Sequence, residues 1–214
     1  MLDKRNIFIS NATSDELRPL IQKLRTQNNK LILTDSDHVA LDQLMSECQE
    51  DEQSDCIEFI QDIKKEIDWN YILEEIPSEY KPLDVVVNHY PIDLTNLDLD
   101  HLTYHEYEER MTHLIWSTLL CLRTSKSTLT KDGRMIQYID LINSESSPIL
   151  MSFIIGALVG SIDGMQSYLE ENQHISFIFN VEPVEQFNHL KAKHYASFEE
   201  AISEIDNVEV GFIY

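Results

Sequence analysis

GRMIQYIDL (133–141), INSESS (142–147), PILMSFIIGALVGSIDGMQSYLEEN (148–172) and HISFIFNVEP (174–183) read as strand, loop, long helix and strand. Ser147 and Pro148 form a helix start signal, a cap residue followed by a proline whose missing N–H costs nothing in the first turn. The next seventeen residues carry one charge, Asp163. A helix apolar on nearly every side is buried or spans a membrane. The uninterrupted apolar stretch is short for a span, so a core helix is expected. Gly156, Gly160 and Gly164 recur every four residues and lay a stripe without side chains along one face. Each interior glycine costs about 1 kcal/mol against alanine, a cost that close approach of another backbone would offset.

The rest of the chain supplies the partners for this unit. At 214 residues and 43% hydrophobic content it is sized for one domain, residues 1–214, with a large core. The net charge of -22 opposes phosphate backbones and anionic membranes, so neither nucleic acid nor a membrane is an expected partner. Cys48, Cys56 and Cys121 are odd in number and suit a reducing compartment. MLDKRNIFIS at the N-terminus has no cleavage signature and reads as a strand, so a cytoplasmic protein is expected.

Taken in order, 6–10 (NIFIS) is an apolar strand, and Thr13 to Glu16 fits a capping box before a helical repeat at Leu17, Leu20, Ile21 and Leu24. Strands follow at 30–35, 57–62 and 84–88, with helices over 40–48 and 67–76. A long helix is expected over 108–126, a last helix over 198–205 and a last strand over 208–214. Strands alternating with helices imply a parallel sheet with right-handed crossovers.

Six of these pieces carry a family resemblance. PLDVVVNHYP (82–91) resembles the "iDvLVNNAG" strand of the short-chain dehydrogenase/reductase family, and FIQDI (59–63) its strand ending in an adenine-contacting Asp. YEERMTHLIWSTLLCLR (107–123) resembles the family's long interface helix, and GRMIQYIDL its "GrIvnisS" strand. GALVGSIDGM (156–165) is similar to the helix after the catalytic Tyr and Lys, and ISFIFNVEP (175–183) to "IrVnaiaPG". Six pieces in the family's order imply a three-layer, Rossmann-like, doubly wound parallel sheet of about seven strands.

The residues that would carry the family's chemistry are absent. Its TGxxxGxG turn reads SNATSDEL (10–17), without a glycine. Those glycines permit a tight turn and close approach to pyrophosphate. Asn11 can take the left-handed conformation of the first, whereas Asp15 and Glu16 stand where a diphosphate would meet the helix N-terminus and repel it. The resemblance places Met151 at the catalytic Tyr, Ile155 at the Lys, Asp140 at the Ser and His113 at the helix Asn. No Lys occurs between Lys131 and Lys191, so no register restores the Tyr–Lys pair. Asn11, Asp35, Asp62 and Asn88 map to the edge of a vestigial cofactor cleft, but the expected reading is that Asp35 and Asp37 cap the next helix and Asn88 bonds to a neighbouring strand.

His101, His105 and Glu109 have helical metal-ligand spacing but no second cluster to complete a site, and a solvated acidic face is the expected reading. Cys121 is expected to be a buried small hydrophobe, and the acidic loop between Cys48 and Cys56 to raise their thiol pKa values. The sequence thus points to a non-catalytic protein of this fold, with no cofactor, that acts by binding itself, a related subunit or a regulatory partner. An oxidoreductase with atypical NAD(P) contacts and a binder of another small molecule in the former cofactor cleft remain as alternatives. In the resembled family two long helices per subunit form the dimer interface. Here that implies Leu114, Thr118, Leu122, Gly156, Gly160 and Gly164, in a homodimer or a heterodimer with a related subunit.

Overall fold

Eight parallel strands form one sheet in the order β3-β2-β1-β4-β5-β6-β8-β7 in a computed structural model of the chain. The structure describes residues 4–49, 55–95, 100–142, 148–181, 192–203 and 210–213. The strands are β1 (Asn6–Ser10), β2 (Lys30–Asp35), β3 (Asp55–Ile60), β4 (Leu83–Asp93), β5 (Leu129–Ile142), β6 (His174–Asn180), β7 (Lys193–Tyr195) and β8 (Val210–Ile213). The helices are α1 (Arg18–Arg25), α2 (His38–Gln49), α3 (Glu66–Glu75), α4 (Tyr104–Tyr107), α5 (His113–Ser125), α6 (Pro148–Tyr168) and α7 (Phe198–Ser203). Side chains alternate across β1: Ile7 and Ile9 join the core under α1, α2 and α7, while Phe8 joins the core under α3, α5 and α6.

Among the described residues the sheet holds eight strands, in keeping with the about seven expected. β7 is three residues long, KHY, beside β8, too short and too polar to show alternation. β4 runs past Asn88 to Asp93. Beyond the Ser10–Asn88 pair, among the described residues only β5 accompanies it, so Pro91, which has no N–H to donate, is tolerated on the other side. At the start of β5 the register jumps from Leu83–Leu129 to Val85–Arg134. Gly133 sits in that irregularity, and a Cβ there would come within 2.9 Å of Leu129 Cβ.

The capping box expected at Thr13 does not form. Leu17 stands at the N-cap of α1 with no side-chain cap, because Thr13 is bonded to Asp35 instead. A capping box forms at Thr103 and Glu106, ahead of α4. α4 continues through a wider turn at Glu108–Thr112 into α5. The start signal at Ser147, and the ends of the last helix and last strand at Ile205, Val208 and Tyr214, lie outside the described residues.

α6 is not the all-round buried helix its composition implies. Leu150, Met151, Ile154, Ile155 and Leu158 face the sheet, whereas Ile149, Phe153, Tyr168 and the three glycines are exposed. It is long and apolar enough to cross a membrane by length and composition alone, and only 28% of its most apolar stretch is covered by the chain. A Cβ built at Gly156, Gly160 or Gly164 meets nothing within 4 Å. The close approach expected along that stripe is therefore not made by the described residues.

Candidate functional site

The carboxyl ends of β1, β2, β3 and β4 surround a polar cleft of about 470 Å³. Asn11, Asp35 and Asp62 line it, together with Thr13, Lys64 and His89. Asn88 does not. It is buried within the sheet, where Ser10 Oγ donates to its Oδ1 at 3.0 Å and its Nδ2 donates to Gln137 Oε1 at 2.8 Å.

The loop between β1 and α1 is closed by side chains in place of glycines. Asn11 adopts φ 47°, the left-handed region, and its Nδ2 donates to the His89 carbonyl at 2.9 Å. Thr13 donates twice to Asp35 Oδ2, from N at 3.2 Å and from Oγ1 at 2.7 Å, and Asp37 N donates to Asp35 Oδ1 at 3.1 Å. Asp35 thus spends one oxygen on this loop and the other on the turn that leads into α2. Asp37 caps α2, accepting from Val39 N and Ala40 N at 3.0 and 3.1 Å. Asp62 accepts from Lys64 N at 3.0 Å and pairs with Lys65 at 3.5 Å.

His89 is the residue of this site that the sequence reading missed. It follows Asn88 in the strand-end motif, which was the available signal. Its ring is fully buried, stacked on Tyr138 at 5.0 Å, and Tyr138 stacks on Phe198 at 4.0 Å. A carbonyl only accepts, so the 3.3 Å contact with Asn11 O requires the proton on Nδ1. Nε2 is left as a buried acceptor without a partner among the described residues. Burial lowers the His89 pKa to about 4, against the pull of Asn11 O, Glu16 and Asp35. Asp140, on β5, is nearly buried and accepts from Asn180 Nδ2 at 2.9 Å. Burial and the Glu16 charge raise its pKa to about 6.

Met151 and Ile155 are buried against the sheet, and His113 begins α5, partly exposed. His101 precedes α4 instead of lying on it with His105. Among the described residues no group of three His, Cys, Asp or Glu is placed to hold a metal. Cys121 is fully buried, and its pKa rises to about 12. The expectation for Cys48 fails: its thiol is held below the ordinary range by a hydrogen bond with Cys56 and by the Arg25 charge, against burial and Glu47.

A second feature lies on the outer face of α5 and α6. Leu114 and Thr118 are buried in the chain's own core, which removes them from the outer face, whereas Leu122, although buried, lines the groove on that face. The helix was placed in the right layer, but its exposed apolar residues are Ile115, Trp116 and Leu119. Trp116, Leu119 and Tyr168 edge an apolar groove of about 290 Å³. Trp116 Nε1 donates to Lys64 O at 3.1 Å, and Arg123 covers its ring at 5.9 Å.

No protein-family model matches the sequence, and no curated protein does so. Solved structures do match in fold. A dehydrogenase/reductase from Sinorhizobium meliloti 1021 superposes with TM-score 0.70 at 18% identity, over 84% of this chain and 72% of that one. A short-chain dehydrogenase/reductase from Serratia marcescens BCRC 10948 gives 0.71 at 14% identity, over 84% and 74%. A blue fluorescent protein from a metagenomic library, in complex with NADPH, gives 0.69 at 14% identity, over 95% and 80%. The chain has the Rossmann-like fold of the short-chain dehydrogenase/reductases.

Proposed function

We propose that this chain is a non-catalytic relative of the short-chain dehydrogenase/reductases that acts by binding, as a homodimer or as a heterodimer with a related subunit, through the outer faces of α5 and α6. The observation that carries the reading is the pairing of an apolar helix face with an open glycine stripe: Ile149, Phe153 and Tyr168 exposed beside Gly156, Gly160 and Gly164. Adjacent exposed apolar residues of this kind mark interaction surfaces. A second helix packs closely against a glycine stripe without displacing side chains. An isologous two-fold contact satisfies both copies at once.

Two features favour binding over redox chemistry. Met151 and Ile155, at the positions of the Tyr–Lys pair, have no titratable group and face the sheet. The loop that would receive a diphosphate is closed onto Asp35 and carries Asp15 and Glu16. NAD and NADP are therefore expected to give no micromolar binding by calorimetry, and the protein no NADPH oxidation with a panel of ketones. A micromolar constant for either dinucleotide would support the oxidoreductase reading instead. The open polar cleft favours a second reading, a small ligand lacking phosphate. Native mass spectrometry of the freshly purified protein tests it by retained mass. The expected location is cytoplasmic, in keeping with three cysteines and no disulfide.

A further inference from the structure

Two cysteines eight positions apart meet at the β3 edge of the sheet. Cys48 lies in the last turn of α2 and is buried. Cys56 is the second residue of β3, partly exposed, and packs against the core cluster that contains Cys48. The two thiols are hydrogen-bonded to each other. Arg25 Nη2 donates to the Cys48 carbonyl at 2.9 Å, which anchors a guanidinium beside the pair, and Arg25 Nε is buried without a partner among the described residues. A thiol pair that shares a proton next to a fixed cation differs from an inert buried cysteine such as Cys121.

We propose that Cys48 and Cys56 are a modification site, forming a reversible intrachain disulfide by exchange with low-molecular-weight disulfides. Cys56 is the accessible sulfur and reacts first. Cys56 gives its proton to solvent, and its thiolate attacks one sulfur of the small disulfide and expels the other half as a thiolate. Cys48 then releases its proton to solvent, and its thiolate, facing the Arg25 charge, attacks the Cys56 sulfur and expels the second half. The two protein thiols lose two electrons and two protons, and one small disulfide becomes two small thiols. The bond ties the end of α2 to edge strand β3. The opposite ends of these two elements border the cleft, through Ser36 ahead of α2 and Asp62 after β3. The state of the thiols is thereby linked to the cleft's outer wall. This proposal is independent of the dimer.

The test uses the full chain equilibrated with mixtures of oxidised and reduced glutathione, quenched in acid, alkylated after unfolding, digested and weighed. The expected result is that Cys48 and Cys56 lose alkylation together, as one crosslinked pair two hydrogens lighter, while Cys121 is alkylated throughout. Excess reduced glutathione restores both. Cys48→Ser stops the reaction at a glutathione adduct on Cys56, and Cys56→Ser leaves Cys48 alkylated in every mixture. Arg25→Gln moves the pH midpoint of crosslinking upward, and Arg25→Lys brings it back. A stable glutathione adduct on Cys56 of the unmutated chain, crosslinks only between chains, or no reaction in fully oxidised glutathione would each overturn the proposal.

Discussion

The cleft at the carboxyl ends of β1–β4 and the outer face of α5 and α6 treat their side chains in opposite ways. In the cleft, apart from His89 Nε2, polar groups bond one another: Thr13 and Asp37 hold Asp35, Asn11 holds the backbone of His89, and Lys64 and Lys65 hold Asp62. On the outer face Phe153, Ile149, Trp116 and Leu119 keep apolar surface in water. A loop that satisfies itself has little to offer a diphosphate, whereas an uncovered apolar face gains by being covered. On the proposed reading, the difference puts binding on the helices.

The comparison breaks most sharply at Gly160. Arg fits there in the monomer, because the space is open, and removing a helical glycine favours α6 by about 1 kcal/mol. In a close helix pair the same charge is buried without a partner, so Gly160→Arg is expected to weaken association by about 4 kcal/mol, roughly a thousandfold. Sedimentation equilibrium against the unmutated chain reads it, and equal constants would detach the glycine stripe from assembly.

His89 gives the next effect, in stability. Its folded pKa, about 4, lies below its ordinary 6.5. Its contribution is therefore complete above pH 6.5 and is lost as pH falls through 4, about 3 kcal/mol in all. Urea unfolding between pH 7 and 4 should show this loss in the native chain, and His89→Phe should remove that part of the slope. An unchanged slope in the variant would mean that the ring is solvated.

Smaller still is Asp35→Ala, which strands the Thr13 and Asp37 donors. It should cost about 2 kcal/mol by urea unfolding, and a neutral result would mean that the loop is not held as described. Asp140 has the opposite sign to His89. Its folded pKa of about 6 lies above the ordinary 3.8, so its contribution is full below 3.8 and lost as pH rises through 6. Asp140→Asn keeps an acceptor for Asn180 and should gain about 1 kcal/mol at pH 7 and nothing at pH 3.5. A gain independent of pH would point to packing instead.

The sheet was legible because apolar strands and helical repeats alternate along the chain, and Asn11 because few residues other than glycine accept its backbone conformation. What escaped was long-range. The partner that draws Thr13 out of a capping box is Asp35, twenty-two positions away. Cys48 lies in an acidic stretch by sequence, yet in space it meets Arg25 from α1. The repeat in α5 identified an apolar helix, but Leu114 and Ile115 are neighbours in sequence, and only docking on the sheet decides which is buried.

Light scattering of the untagged chain at about 10 micromolar tests the central claim most directly. The expected mass is twice 25.0 kDa for the native chain and 25.0 kDa for Gly160→Arg. A native chain of 25.0 kDa, with no related subunit recovered alongside it, would contradict a binding role for the α5–α6 face.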